Sequence, residues 1–216
     1  MFKKTYKRKA ISTVLTTMII VVASVVLATG VVLFGTSTFQ NKAQGESLAT
    51  TGTQVWADSA NSGWAWGAFD VRNIGDKMVS IDVIELRGQA MPYGNWYYDH
   101  NQTEVTITNF QQKLNYTGII VGGSLDGMMK NYTGAAPACA TPATLCVNLI
   151  GTSATNQVLH LKQASGPISL SPGERAIVYF QVTKNLLSAI DASTTSSIAV
   201  YAHNVGSPVV VTVQNK

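Results

Sequence analysis

Ile11-Ser12-Thr13-Val14-Leu15-Thr16-Thr17-Met18-Ile19-Ile20-Val21-Val22-Ala23-Ser24-Val25-Val26 opens a run that continues to Asn41 without a charged side chain. Wound as a helix, Ile11 to Phe39 would be about 44 Å long at about 1.5 Å per residue, longer than the roughly 30 Å of a bilayer's hydrocarbon core. Such a segment can cross a membrane with turns to spare. Lys3, Lys4, Lys7, Arg8 and Lys9 stand directly before it. Basic residues beside a hydrophobic span stay on the cytoplasmic side, which places the chain beyond Lys42 outside.

The same five residues account for the chain's basic character. The formal charge is +4 with a pI near 9.1, yet beyond position 9 ten basic residues face eleven acidic ones. A nucleic-acid surface needs cations spread over a folded face, and here the excess sits at one end beside an apolar run, so nucleic acid is not expected as a partner. Charged residues make up 12% of the chain and apolar ones 46%. That balance is too apolar for disorder and low in charge for a protein wholly in water. With 216 residues there is room for one domain of ordinary size and an appendage.

Three readings of the apolar run compete. It is a permanent single-pass anchor, or a conventional secretory signal cut near Val26-Leu27-Ala28, or the retained helix of a protein whose leader is removed ahead of it. Lys7-Arg8-Lys9-Ala10 followed by Ile11-Ser12-Thr13-Val14-Leu15-Thr16-Thr17 resembles the class III leader of archaeal type IV pilins and archaellins. The resemblance covers about the first 45 residues. It implies that a membrane-embedded prepilin peptidase cuts after Ala10, leaving Ile11 as the new amino terminus. Bacterial relatives carry a glutamate at the fifth mature position; Leu15 stands there in this chain, which favours the archaeal branch.

The resemblance also implies a division into a leader at 1–10, a filament-core or transmembrane helix with its neck at 11–45, and an extracellular head at 46–216. The partners it implies are other copies of the chain or related subunits, the peptidase, the membrane that holds the precursor, and an assembly platform driven by an ATPase. Small and hydroxylated residues such as Ser12, Thr16, Ala23, Ser24, Ala28 and Gly30 lie among Val, Ile and Leu, and they let helices approach closely. Their hydroxyls can bond back to helix carbonyls without outside partners.

Beyond Gly63 the pattern changes to period two. Ala68 to Ile74, Met78 to Leu86, Glu104 to Thr108, Gln157 to Leu161, Arg175 to Val182, Ser197 to His203 and Val209 to Val213 read as strands. Asn73-Ile74-Gly75-Asp76 and Ser171-Pro172-Gly173-Glu174 are turns, the latter with Pro and Gly where a type II turn takes them. The fold class expected is α+β: a long hydrophobic amino-terminal helix followed by an Ig-like antiparallel β-sandwich head. Gly45 to Gly63, rich in Gly, Ser, Thr and Asn, reads as a neck. The stretch from Gly88 to about Gly151 reads as an irregular insertion, in which Tyr93, Trp96, Tyr97 and Tyr98 are expected to pack as a satellite core beneath a loop, the alternative being a loop surface that binds sugars or partners.

Cys139 and Cys146 are the only cysteines. Two thiols without clustered histidines are too few for structural zinc, so outside the cell the expectation is a disulfide closing a small loop, the alternative being a free buried pair. Asn101, Asn115 and Asn131 each head an Asn-X-Thr glycosylation sequon inside the insertion. His100, His160 and His203 are isolated, and no metalloprotease helix, nucleophile elbow or phosphate loop is present in the sequence. Neither catalysis nor a cofactor is expected. The chain is therefore read as a structural subunit of an extracellular archaeal filament, archaellum or type IV pilus, serving motility or adhesion. The alternative is a single-pass membrane-anchored β-sandwich that binds a ligand outside the cell.

Overall fold

The computed structural model describes residues 6–43, 45–100, 114–132, 143–149, 158–203 and 205–216. The chain divides into two compact units, Met1–Gly45 and Glu46–Lys216. The first unit is one helix, α1, over Tyr6–Ala43. It begins ahead of Ile11, so the helix runs through the expected cleavage point. Val and Ile lose side-chain freedom in a helix, and Gly30 and Gly35 weaken it further. Such a helix is compatible with a membrane anchor or signal sequence, because in lipid only the internal ladder satisfies the backbone groups.

The second unit contains, among the described residues, twelve strands: β1 (Leu48–Ala57), β2 (Ala65–Asn73), β3 (Val79–Ile81), β4 (Val83–Leu86), β5 (Gln89–Ala90), β6 (Trp96–Asp99), β7 (Thr144–Asn148), β8 (Val158–Gln163), β9 (Ile168–Leu170), β10 (Arg175–Gln181), β11 (Thr195–Ala202) and β12 (Val205–Asn215). Ten form one sheet in the order β5-β4-β11-β12-β1-β2-β10-β6-β8-β7, and β3 pairs with β9. Pairing is antiparallel except between β1 and β12. The expected class, an apolar helix followed by an antiparallel-dominated β-sandwich head, is the one observed.

β12 joins the two halves of the sandwich. Its residues 205–212 pair with β11, and Val213, Gln214 and Asn215 pair with Val55, Trp56 and Ala57 of β1. Between the halves lies one core, with Phe69, Val71, Ile84, Val178, Phe180 and Val200 among its members. A second core, on the opposite face of β2 and β10, gathers Trp66, Ala68, Ile177 and Tyr179 beneath Leu114, Ile119 and Met129. These central strands are covered on both faces, so β10 reads as the near-continuous apolar run Ala176-Ile177-Val178-Tyr179-Phe180.

The two turns expected from the sequence meet. Asn73, fully buried, donates its backbone N–H to the Glu174 carbonyl at 3.0 Å and accepts from the Gly173 N–H at 2.9 Å. Its Nδ2 donates to the carbonyls of Lys77 and Leu170 at 2.7 and 3.0 Å, and its Oδ1 accepts from the Gly75 N–H at 3.0 Å. Gly173 sits at φ +78°, which the third position of a type II turn requires.

Two expectations are corrected. The supposed neck is chiefly β1, a central strand whose Val55, Trp56 and Ala57 are almost wholly buried. Its alternation is interrupted by a bulge between Thr51 and Gln54, where Gly52 adopts φ +62°. The aromatic cluster is likewise no satellite: β6 pairs with β10 and β8, placing Trp96 in the first core and Tyr97 in the second. The run from Glu104 to Thr108 lies outside the described residues.

Candidate functional site

The most distinctive surface in the chain is that of α1. Thr13–Thr36 forms a 24-residue span of mean hydropathy 2.7, none of it buried. Large apolar side chains point outward all around it, from Val14 at 65% exposed to Phe34 at 76%. A helix that is apolar on every side belongs among lipids or other apolar helices. Its hydroxyls are satisfied from within: Ser24 Oγ donates to the Ile20 carbonyl at 2.6 Å, Thr29 Oγ1 to that of Val25 at 2.8 Å, and Thr36 Oγ1 to that of Val32 at 2.9 Å. No polar group on this part of the helix therefore demands water.

Ala10 and Ile11 both lie within α1. Cys146, on β7, is fully buried, and no described cysteine is free; Cys139 and Asn101 lie outside the described residues. Asn131 Oδ1 accepts the Cys146 N–H at 2.7 Å, and the Tyr132 N–H donates to the Cys146 carbonyl at 2.9 Å. Together they cover the outer side of the edge strand β7, which would otherwise offer unpaired backbone groups to another chain. Asn115 Nδ2 donates to the Asn148 carbonyl at 3.0 Å, so this sequon's amide is engaged within the fold. The histidines stand apart. His100 Nδ1 lies 2.8 Å from Glu174 Oε1, His160 Nδ1 lies 3.4 Å from Cys146 Sγ, and His203 occupies the turn after β11 with φ 55°.

A pocket of about 380 Å³, not foreseen in the sequence, is lined by Gln54, Trp56, Leu114, Asn115, Tyr116, Gln214 and Lys216. Cross-strand register sets Trp56 opposite Gln214, and the indole Nε1 donates to Gln214 Oε1 at 3.2 Å. The Trp56 ring stacks on Tyr179 at 6.2 Å and 19°, and Tyr116 lies 5.8 Å away at 31°. The Tyr116 hydroxyl donates to Asp58 Oδ2 at 2.6 Å, while Asp58 Oδ1 accepts from the Asn61 N–H at 2.7 Å. Tyr179 Oη accepts the Asn115 N–H at 3.0 Å and donates to the Asn115 carbonyl at 3.1 Å.

Burial, together with the neighbouring Asp58 carboxylate, pushes the Tyr116 hydroxyl far above the ordinary phenol range. Burial does the same to Tyr179, against a smaller opposing pull from the Asn115 N–H. Both rings therefore remain neutral donors, and the wall they build with Trp56 is fixed at each polar tip. Of the pocket's residues the sequence singled out only Asn115, and for another role. Gln54 and Trp56 fell in the presumed neck, while Gln214 and Lys216 come from the other end of the chain; only the β1–β12 pairing unites them. No protein-family model matches the chain, and no curated protein matches it.

Proposed function

We propose that the chain is a structural subunit of an extracellular filament of the archaeal type IV pilus or archaellum kind. The observation that carries this reading is α1: a long helix, apolar on every side, ahead of a β unit that has its own cores. Burying each of its large side chains away from water is worth about 1.5–3 kcal/mol, so the helix belongs in lipid before assembly. Its transfer into a filament gains close packing and no second hydrophobic effect, because lipid already satisfies it. Extraction then needs an outside energy source, which fits an assembly ATPase working through a membrane platform. In this reading prepilin peptidase releases residues 1–10, Ile11 to about Phe39 packs against other copies of the chain, and the head faces outward. A Cys139–Cys146 disulfide secures the head, consistent with the absence of a free thiol at Cys146, and glycans on the Asn101 and Asn131 sequons shield it.

The pocket beside Trp56 favours a second reading, a single-pass anchored protein that binds a ligand outside the cell. The mature amino terminus separates the two. Mass spectrometry of protein recovered from the native host is expected to find Ile11 first, and a Lys9→Glu, Ala10→Glu double variant is expected to persist as uncut precursor. A chain that keeps its first ten residues would count for the anchor, and full processing of that variant would count against cleavage at Ala10.

A further inference from the structure

The pocket between β1, the end of β12 and the segment from Leu114 to Tyr116 is given no class of ligand by either reading, and its lining supplies one. We propose that it is a binding site for a sugar ring. Among the described residues its polar lining is made of the carboxamides Gln54, Asn115 and Gln214, with the cationic side chain of Lys216. A carboxamide offers a donor and an acceptor side by side, which matches hydroxyls that both give and take hydrogen bonds. The internal bonds leave complementary groups for a ligand. Gln214 uses its Oε1 on the Trp56 indole, keeping its Nε2 hydrogens, and Asn115 uses Nδ2 on Asn148, keeping its Oδ1.

The apolar side of the pocket has the form a pyranose needs. Tyr116, half-buried, presents its ring, and Trp56, 1% exposed, backs it. The C–H face of a sugar packs on an aromatic surface while its equatorial hydroxyls meet the amides at the rim. The Asp58 and Gln214 bonds hold both rings before any ligand arrives, so little conformational freedom is lost on binding. The Lys216 side chain extends the preference to sugars that carry an acidic group. The volume, about 380 Å³, falls in the lower range of small-molecule sites.

The test uses the full chain in a phosphocholine detergent, which has no sugar head group. Saturation-transfer NMR against free glucose, galactose, mannose, N-acetylglucosamine and glucuronate is expected to detect at least one of them with a Kd of the order of 1 mM. Gln54→Ala, at the rim, is expected to weaken it about fivefold through loss of one neutral hydrogen bond. Tyr116→Ala is expected to abolish it, with an unchanged β-type circular dichroism spectrum as the check on folding. Lys216→Ala is expected to weaken glucuronate alone. No binding by any of the five sugars overturns the proposal, as does binding that is equal in the wild type and in Gln54→Ala.

Discussion

Gly67 faces Phe180 across the β2–β10 pair, and a Cβ added there would clash with the Phe180 ring. The ring is fully buried in the first core. Gly67→Ala is expected to lower stability by about 1–3 kcal/mol, measured by chemical denaturation, and Phe180→Leu in the same chain is expected to restore part of the loss. Wild-type stability in Gly67→Ala would show that β2 and β10 are not packed as described. Glu174 gives a pH-dependent counterpart. Burial alone would raise its pKa, but the Ser171 N–H and the His100 imidazole outweigh burial and hold it below its ordinary value of 4.5. A carboxyl depressed in the folded state contributes stability that is present above its unfolded pKa and is lost as pH falls through the folded one. The stability difference between wild type and Glu174→Gln is therefore expected to shrink as pH drops below 4.5. A difference that stays constant down to the end of that titration would remove Glu174 from the account of the turn.

Val25 sits midway along the apolar span of α1, 57% exposed. In the filament reading that exposed surface is where other subunits pack, and an unpaired charge placed there costs several kcal/mol. Val25→Asp is expected to abolish filaments while the head retains its β spectrum, as scored by electron microscopy and circular dichroism. Filaments at normal yield would refute the packing role of α1. This element was plain in the sequence, because an uncharged run admits few other readings. Strands with one covered face were legible for a related reason, as β11 shows by its strict alternation of buried and exposed positions. β1 and β6 were not. The bulge at Gly52 shifts the side-chain phase halfway along β1, so neither half is long enough to display a period. β6 has Trp96 in one core and Tyr97 in the other, so two adjacent large apolar residues replace alternation. Pairing with distant strands, and not a local pattern, decides both elements.

For the molecule as a whole, the division at Gly45 predicts which truncations survive. Removal of residues 1–45 is expected to leave a soluble protein with a β-type spectrum and a cooperative melt, lowered by reductant if the proposed disulfide is present. Removal of residues 1–57 takes β1 from the centre of the sheet and is expected to leave no cooperative melt at all. A folded product of the longer deletion would refute the placement of β1, whereas a melt insensitive to reductant would retire only the disulfide. The pocket could not be read in the sequence for the same reason that the longer deletion is fatal: it joins residues near both ends of the second unit. β1 and β12 run parallel, so the Leu48 end of one and the Asn215 end of the other lie at opposite ends of the pair. Opposed forces applied at Leu48 and at Asn215 would pull these neighbours lengthwise past each other. The hydrogen bonds joining residues 55–57 to 213–215 are then strained together in shear and not opened one at a time like a zipper.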